Sequence, residues 1–523
     1  MIRAGVRGGE TTRKRFEFVR YGGMRRFRVL AVVVSLLCFA AAAGGQESGG
    51  GQQSDDTQQG GGGAQSGGGG QPNDNAQRSG GGQESGTGPR KDDGQRSGSG
   101  QMAGMQMAGM QMGPNEHMNM QPGTFLEEIA QHATSGTSAQ PDSTPAPMLM
   151  TMRGAWTVMF HANVFVADEQ QSSPRGGDKF FSTNWFMPMV QRRAGPGTLT
   201  ARVMLSLEPA TIGGRRYPLL FQQGETAYGT PIADGQHPHN LFMEIAALYD
   251  VKFGERTMLS FYAAPVGDPA IGPAAYPHRA SAMENPVAAL GHHQEDSTHI
   301  ADDVVTVGLA YRIVRIEASG FHGREPDEFR WDIDQGKIDS WATRLTVQPG
   351  KNWSAQYSYG RIASPEELFP GEDQERMTAS VMYNRPLENG PGSNGNWAST
   401  LLWGRTRSLA DGTVFNSYLA ESTVRFRTRN YAWTRIESAA RSNELILGEH
   451  ALPPGFVERP VGRVAAYTVG YDRDIDLVPH LASAIGAQFT GYSVPDALKA
   501  IYGAHPVGVT MFVRLRPFSG PSR

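Results

Sequence analysis

From about residue 152 onward, apolar and polar positions alternate in segments of about ten residues, separated by turn-rich stretches. In "NWSAQYSYG", Trp353, Ala355, Tyr357 and Tyr359 share one face and Ser354, Gln356 and Ser358 the other. "SWATRLTVQ" sets Trp341, Thr343, Leu345 and Val347 opposite Ala342, Arg344 and Thr346. "ERMTASVMYN" and "SYLAESTVRF" repeat the pattern, with Arg376, Glu421 and Arg425 on the polar side. A period of two over such lengths predicts β-strands. Ten residues exceed the usual strand of a soluble sheet and match what a tilted strand needs to cross a bilayer. Trp156, Trp341, Trp353, Trp397, Trp403 and Trp433 fall near predicted strand ends, where a membrane barrel carries its aromatic girdles. A soluble sandwich or propeller also alternates, but requires neither this length nor this placement of tryptophan. The pattern predicts an all-β fold: a transmembrane antiparallel β-barrel with a disordered N-terminal extension.

Strands are predicted near 153–166, 180–190, 198–207, 240–251, 256–264, 302–311, 314–322, 338–348, 352–360, 375–384, 397–405, 415–426, 431–440, 462–472, 481–491 and 506–516, about sixteen in all. An even number is what bacterial barrels use. The connections then alternate. "QRRAGPG", "KFGE", Arg312–Ile313, "PGKN" and "RTRN" are tight, whereas 208–239, 265–301, 323–337, 361–374, 441–461 and 492–505 are long. Short turns belong in the periplasm and long loops outside. "RYPLLFQ" (216–222) would break the parity as a strand and is assigned to a loop. Residues 385–396 are a long connection on the short side, the one clear exception.

Composition changes the reading of the N-terminal part. "MRRFRVLAVVVSLLCFAAAAGG" has a basic start, an apolar run and small residues, so 1–43 reads as an export signal, with Met24 an alternative start. Cys38, the single cysteine, falls within it, which leaves the exported chain without disulfides. Residues 44–100 are a Gly/Gln-rich tether too poor in apolar groups to fold. Residues 101–123 are a methionine-rich segment. Residues 124–151 are expected to hold a short helix, capped by Thr124 and Glu127, and linker. The barrel is expected over 152–523. Outer-membrane lipid and the outer-membrane assembly machinery are the partners this organisation implies. Basic–aromatic patches for nucleic acid are absent from the sequence.

Two groups of residues suggest chemistry. The first is Met102, Met105, Met107, Met110, Met112, Met118 and Met120 with His117. Thioethers are soft neutral ligands suited to Cu(I) or Ag(I), and the alternative is a low-complexity tether. The second is seven of the 13 histidines: His237, His239, His278, His292, His293, His299 and His322. All lie in or beside three consecutive long loops, so the parity gathers them at one rim. Neutral imidazoles near carboxylates such as Glu284, Glu295, Asp296, Asp302 and Asp303 suit zinc, copper or nickel. The bland alternative is a hydrogen-bonded loop cluster. A rim hydrolase built on Ser297, His299 and Asp302 or Glu295 is a third reading, with no nucleophile-elbow motif behind it. Met159, His161, Met204 and Met382 have inward parity, so they either line a soft path or pack against a plug.

A methionine- and histidine-rich exported N-terminus ahead of a barrel resembles the outer-membrane copper-resistance B family. That resemblance implies copper handling at the bacterial outer membrane, with copper as ligand, periplasmic metal carriers as partners and the N-terminal extension in the periplasm. The repeat here lacks the Asp–His–Met spacing common in that family. "GQHPHNLFMEIA", "ENPVAALGHHQEDSTHI" and "FHGREPDEFRWDID" resemble an uncharacterised family of exported bacterial barrels. The expected function is therefore passage or handling of soft metal ions. The alternative is a general porin or solute channel whose histidine loops are structural.

Overall fold

A computed structural model describes residues 121–296, 301–388, 394–475 and 481–517. The methionine-rich repeat, Ser297 and His299 lie outside them. Sixteen strands close into an antiparallel barrel: β1 Trp156–Ser172, β2 Lys179–Ala194, β3 Gly197–Leu205, β4 Phe242–Phe253, β5 Thr257–Gly267, β6 Ala301–Tyr311, β7 Val314–His322 and β8 Ser340–Gly350. These continue into β9 Trp353–Ile362, β10 Gln374–Glu388, β11 Asn394–Ser408, β12 Val414–Phe426, β13 Asn430–Ser442, β14 Pro460–Asp474, β15 Leu481–Ser493 and β16 Val507–Pro517. Each strand pairs with its neighbours in sequence, and β16 closes on β1 from Val164↔Leu515 to Ser172↔Val507. A short strand, Leu149–Arg153, folds back on the first residues of β1. Closure pairs each of the sixteen barrel strands on both sides, which is what hydrocarbon demands of a β structure.

The faces divide as the alternation predicts. Leu309, Ile316, Leu345, Val381, Leu401, Ile436, Val469 and Ile485 are exposed on the outside. Arg344, Arg376, Glu421, Arg435 and Arg514 are buried on the lumen side. Trp353, Tyr383 and Trp397 form a ladder at the short-turn end, with ring centroids 4.6 and 5.3 Å apart. Trp341 and Tyr359 pair at the long-loop end, 5.5 Å apart. The outside is thus an apolar belt between aromatic bands, the surface expected against a bilayer.

Trp433 does not join a girdle. It faces the lumen, only 4% exposed, beside its register partner Gly470. A Cβ on that glycine would come within 2.1 Å of the indole. Residues 385–396 are not a long loop either. β10 and β11 run on past the expected ends, with Arg385 opposite Trp397 and Leu387 opposite Gly395. Proline and glycines there read as loop because the hairpin extends beyond the alternating stretch. In 216–222, only Tyr217–Pro218 is extended, and it pairs with Gly235–Gln236 inside the loop.

The lumen is filled by two segments. Residues 121–148 enter beside the short turns, where Ser143 N–H donates to Lys351 O at 2.9 Å and Ser143 Oγ to Asn384 O at 2.8 Å. They include helix α1, Phe125–Gln131, whose N-cap is Thr124. The second segment, 268–296, descends from the long-loop side. The stretch expected to be linker is therefore packed: Thr134, Ser135, Thr137, Gln140, Asp142 and Ser143 are all buried. Its polar composition suits hydrogen bonding to a polar wall.

Candidate functional site

The wall holds the plug through buried charges. Arg202 of β3 makes a bidentate pair with Glu244 of β4, at 2.6 and 2.7 Å, and donates to the carbonyls of His132, Thr134 and Gly136. A guanidinium has five donors in a rigid fork, and all of this fork is spent on wall and plug. Arg344 donates to Gly272 O and Thr137 Oγ1 and pairs with Glu317. From the upper segment, Arg279 pairs with Glu421 at 2.6 Å, and Glu284 receives Arg514 and Arg516. The two segments touch where Ser135 Oγ donates to Asp268 at 2.6 Å and Gln140 to His278 O at 3.0 Å.

A methionine-rich cluster lies within this lumen. Met148, Met159, Met187, Met189, Met204 and Met243 pack with Trp185. His278 Nε2 is 3.4 Å from Met204 Sδ, and its ring lies 4.4 Å from Trp185 and 5.9 Å from His161. Met159, His161, Met204 and Met382 are all buried, as inward parity requires, and the first three adjoin the plug, at Met148 and His278, rather than line an open path.

The six of the seven loop histidines that lie among the described residues do not gather as one set. His278 goes down into the lumen with the plug. His322, at the end of β7, donates from Nδ1 to Lys337 O at 2.9 Å and faces Asp339. His239 meets Glu208 at 2.8 Å. Three do converge: ligand atoms of His237, His292 and His293 all lie within 4.8 Å of one another, and all three residues are buried. The rings of His292 and His293 are 4.4 Å apart in a single helical turn, His292–Glu295, and those of His237 and His293 5.9 Å apart. Glu225 completes the group, 3.1 Å from His237 Nε2 and 3.4 Å from His293 Nδ1. Gly224 lies against His293 with a positive φ of 96°, so the chain bends there in a way a side chain would strain.

Burial, helped by the positive charge of Arg330, pushes His237 well below the ordinary imidazole range. Burial also raises Glu225 above the usual carboxylate range, although Arg330 opposes it. Their contact is thus a hydrogen bond between groups driven toward neutrality, not a full ion pair. Of the carboxylates expected near the histidines, Asp296 touches His292 Nδ1 at 3.1 Å, whereas Glu284 serves Arg514 and Arg516. Glu225 and Glu208 were not among them. A lone glutamate in a long polar loop carries no pattern that would single it out.

No protein-family model matches the chain, and no curated protein does. Solved barrels are similar in outline. The anion-selective porin from Comamonas acidovorans aligns with a TM-score of 0.42 and 9% identity, over 69% of this chain and 99% of its own. OmpF of Salmonella typhi, in complex with daunomycin, gives 0.41 and 8%, over 70% and 100%. The channel DcaP of Acinetobacter baumannii gives 0.36 and 7%, over 70% and 99%.

Proposed function

We propose that this chain is a passage protein of the bacterial outer membrane, closed by its own plug. The observation that carries the reading is the chemistry of the plug–wall contact. The wall is lined with arginines, glutamates and hydroxyls, and it meets the plug through hydrogen bonds such as those of Arg202 to the carbonyls of His132, Thr134 and Gly136 and ion pairs such as Arg279–Glu421. A barrel needed only as a scaffold is more stable with an apolar core, because buried ion pairs return little of their desolvation cost. A polar wall becomes useful when the plug moves and water replaces it. Short turns then face the periplasm, residues 1–43 act as the export signal, and the chain upstream of 121 extends from the periplasmic side.

Planar-bilayer recording tests this. The wild-type barrel should show low, intermittent conductance. A variant with 274–290 replaced by a short Gly-Ser link and Arg202→Lys loosening the 121–148 segment should conduct steadily. If that variant inserts as a heat-modifiable barrel and still passes no current, the passage reading is wrong.

A soft monovalent metal is the second reading for the cargo, favoured by His278 Nε2 beside Met204 Sδ amid the methionine cluster. The segment 101–120 would then capture the ion on the periplasmic side. Titration with Ag(I) or Cu(I) of the barrel and of a 101–120 peptide tests it. If neither binds more than a scrambled control, this cargo is ruled out.

A further inference from the structure

We propose that His237, His292 and His293, with Glu225, form a site for one divalent first-row transition-metal ion, of the zinc, nickel or copper(II) kind. The ion would tie the loop 206–241 to the plug segment 268–296.

The donor set is the first argument. Ligand atoms of three imidazoles lie within 4.8 Å of one another, and the Glu225 carboxylate lies 3.1 and 3.4 Å from two of them, on two segments far apart in sequence. A tetrahedral ion with bonds of about 2.0–2.1 Å needs donors about 3.3 Å apart. The Glu225 contacts of 3.1 and 3.4 Å already have that spacing. Contraction of the imidazoles by rotation about their side-chain bonds supplies the rest. Nitrogen and carboxylate donors suit borderline dications, whereas calcium and magnesium require oxygen cages.

The outer partners are the second argument. His237 Nδ1 lies 2.9 Å from Pro238 O, and His292 Nδ1 lies 3.1 Å from Asp296 Oδ1. Both acceptors draw the ring proton to Nδ1 and leave Nε2 as the lone-pair nitrogen. That carbonyl- or carboxylate-backed imidazole is how metal-ligating histidines are oriented. Asp296 is itself fixed, accepting from Tyr276 N–H at 3.1 Å and from Arg279. With the His237 proton on Nδ1, Nε2 and Glu225 Oε1 are two acceptors 3.1 Å apart. A proton or a cation between them resolves that, and two more imidazoles favour the cation.

Cobalt(II) substitution on the purified full-length barrel tests the site. Wild type should take up one equivalent with the intense visible absorption of four-coordinate cobalt, displaced by zinc. His237→Gln and His293→Gln should each weaken cobalt binding about 100-fold, and Glu225→Gln about tenfold. His322→Gln should bind as wild type does. The weak spectrum of octahedral cobalt in the wild type, or equal uptake by a His237→Gln/His293→Gln variant, overturns the proposal. Either result leaves the conductance experiment unaffected, so the two readings fail separately. Wild-type spectroscopy decides the matter even if a variant folds poorly.

Discussion

Arg279 and Glu421 meet at 2.6 Å with side chains 1% and 0% exposed, joining the plug to β12 at the heart of the lumen. Glu421 also receives Arg435 at 3.3 Å and Ser281 at 2.9 Å. Removing the acid takes the carboxylate from two guanidiniums at once, Arg279 keeping only Ala274 O and the longer contact to Asp296, whereas removing Arg279 leaves the acid with two partners. Breaking a buried pair costs about 3–5 kcal/mol. Glu421→Gln should therefore loosen the plug by that amount, and Arg279→Met by less. Hydrogen exchange of amides 274–290 measures both. Equal protection in the two variants would contradict this hierarchy.

The lower segment depends on Arg202. Lysine keeps the charge but lacks the planar fork, so Arg202→Lys cannot serve Glu244 and three carbonyls together. Protease cleavage within 132–141 should become detectable in this variant while the barrel keeps its gel mobility. Each lost charge-assisted bond is worth about 1.5–3 kcal/mol, so the effect should be plain. A variant as resistant as wild type would mean the segment is held elsewhere.

Gly470 makes room for Trp433. An alanine Cβ would lie 2.1 Å from the indole, and Phe512 closes one side, 6.0 Å away between ring centroids. Overpacking of this kind costs about 1–3 kcal/mol. Gly470→Ala should lower the temperature of heat-modifiable unfolding, and Trp433→Leu in the same chain should restore part of it. No restoration would show that the strain lies in the backbone.

How much of this was readable in advance follows from periodicity. Strands such as Trp353–Ile362 declare themselves because one face meets hydrocarbon and the other does not, which fixes both period and register. The plug has no such signal. Residues 268–296 form no regular sheet, and their burial depends on a wall assembled from distant strands. His292 and His293 are adjacent in sequence and so were visible as a pair. His237 was reachable only through loop order, and Glu225 not at all. His278 misled because a loop that turns inward looks, residue by residue, like one that stays at the rim. Trp433 misled for a related reason: nearness to a strand end does not say which face a tryptophan takes when the lumen is itself packed.

The outer belt gives a direct test of membrane embedding. Leu401 is 63% exposed in the middle of β11, facing away from the lumen. Arginine at a barrel's lipid face costs about 2–4 kcal/mol near the midplane. Leu401→Arg should reduce refolding yield into lipid vesicles, whereas Ile446→Arg, at an exposed loop position, should change stability by less than about 0.5 kcal/mol. Equal tolerance of the two arginines would argue that the belt faces water.

The long loops should respond to pH in a defined direction. Burial raises Glu366 to about 8, with the neighbouring Glu458 and Glu325 adding to it. Glu325 itself is raised to about 7, chiefly by burial and then by Glu225. Their usual value is 4.5. Below that, both carboxyls are protonated whether the loops are folded or open, and they contribute no pH dependence. Between about 4.5 and 8 the open form ionises first, so the folded loops hold more protons and lose stability as pH rises. Above about 8 both forms are ionised and the slope vanishes. Hydrogen exchange in 323–339 and 363–373 should therefore show protection falling from pH 5 to pH 8, beyond the intrinsic acceleration of exchange. Glu366→Gln should flatten that slope, because an amide fills the same space beside Gln374 with no proton to lose. A slope of opposite sign would mean that Gln374 and Arg376 hold these acids ionised, with ion pairing rather than burial governing the loops.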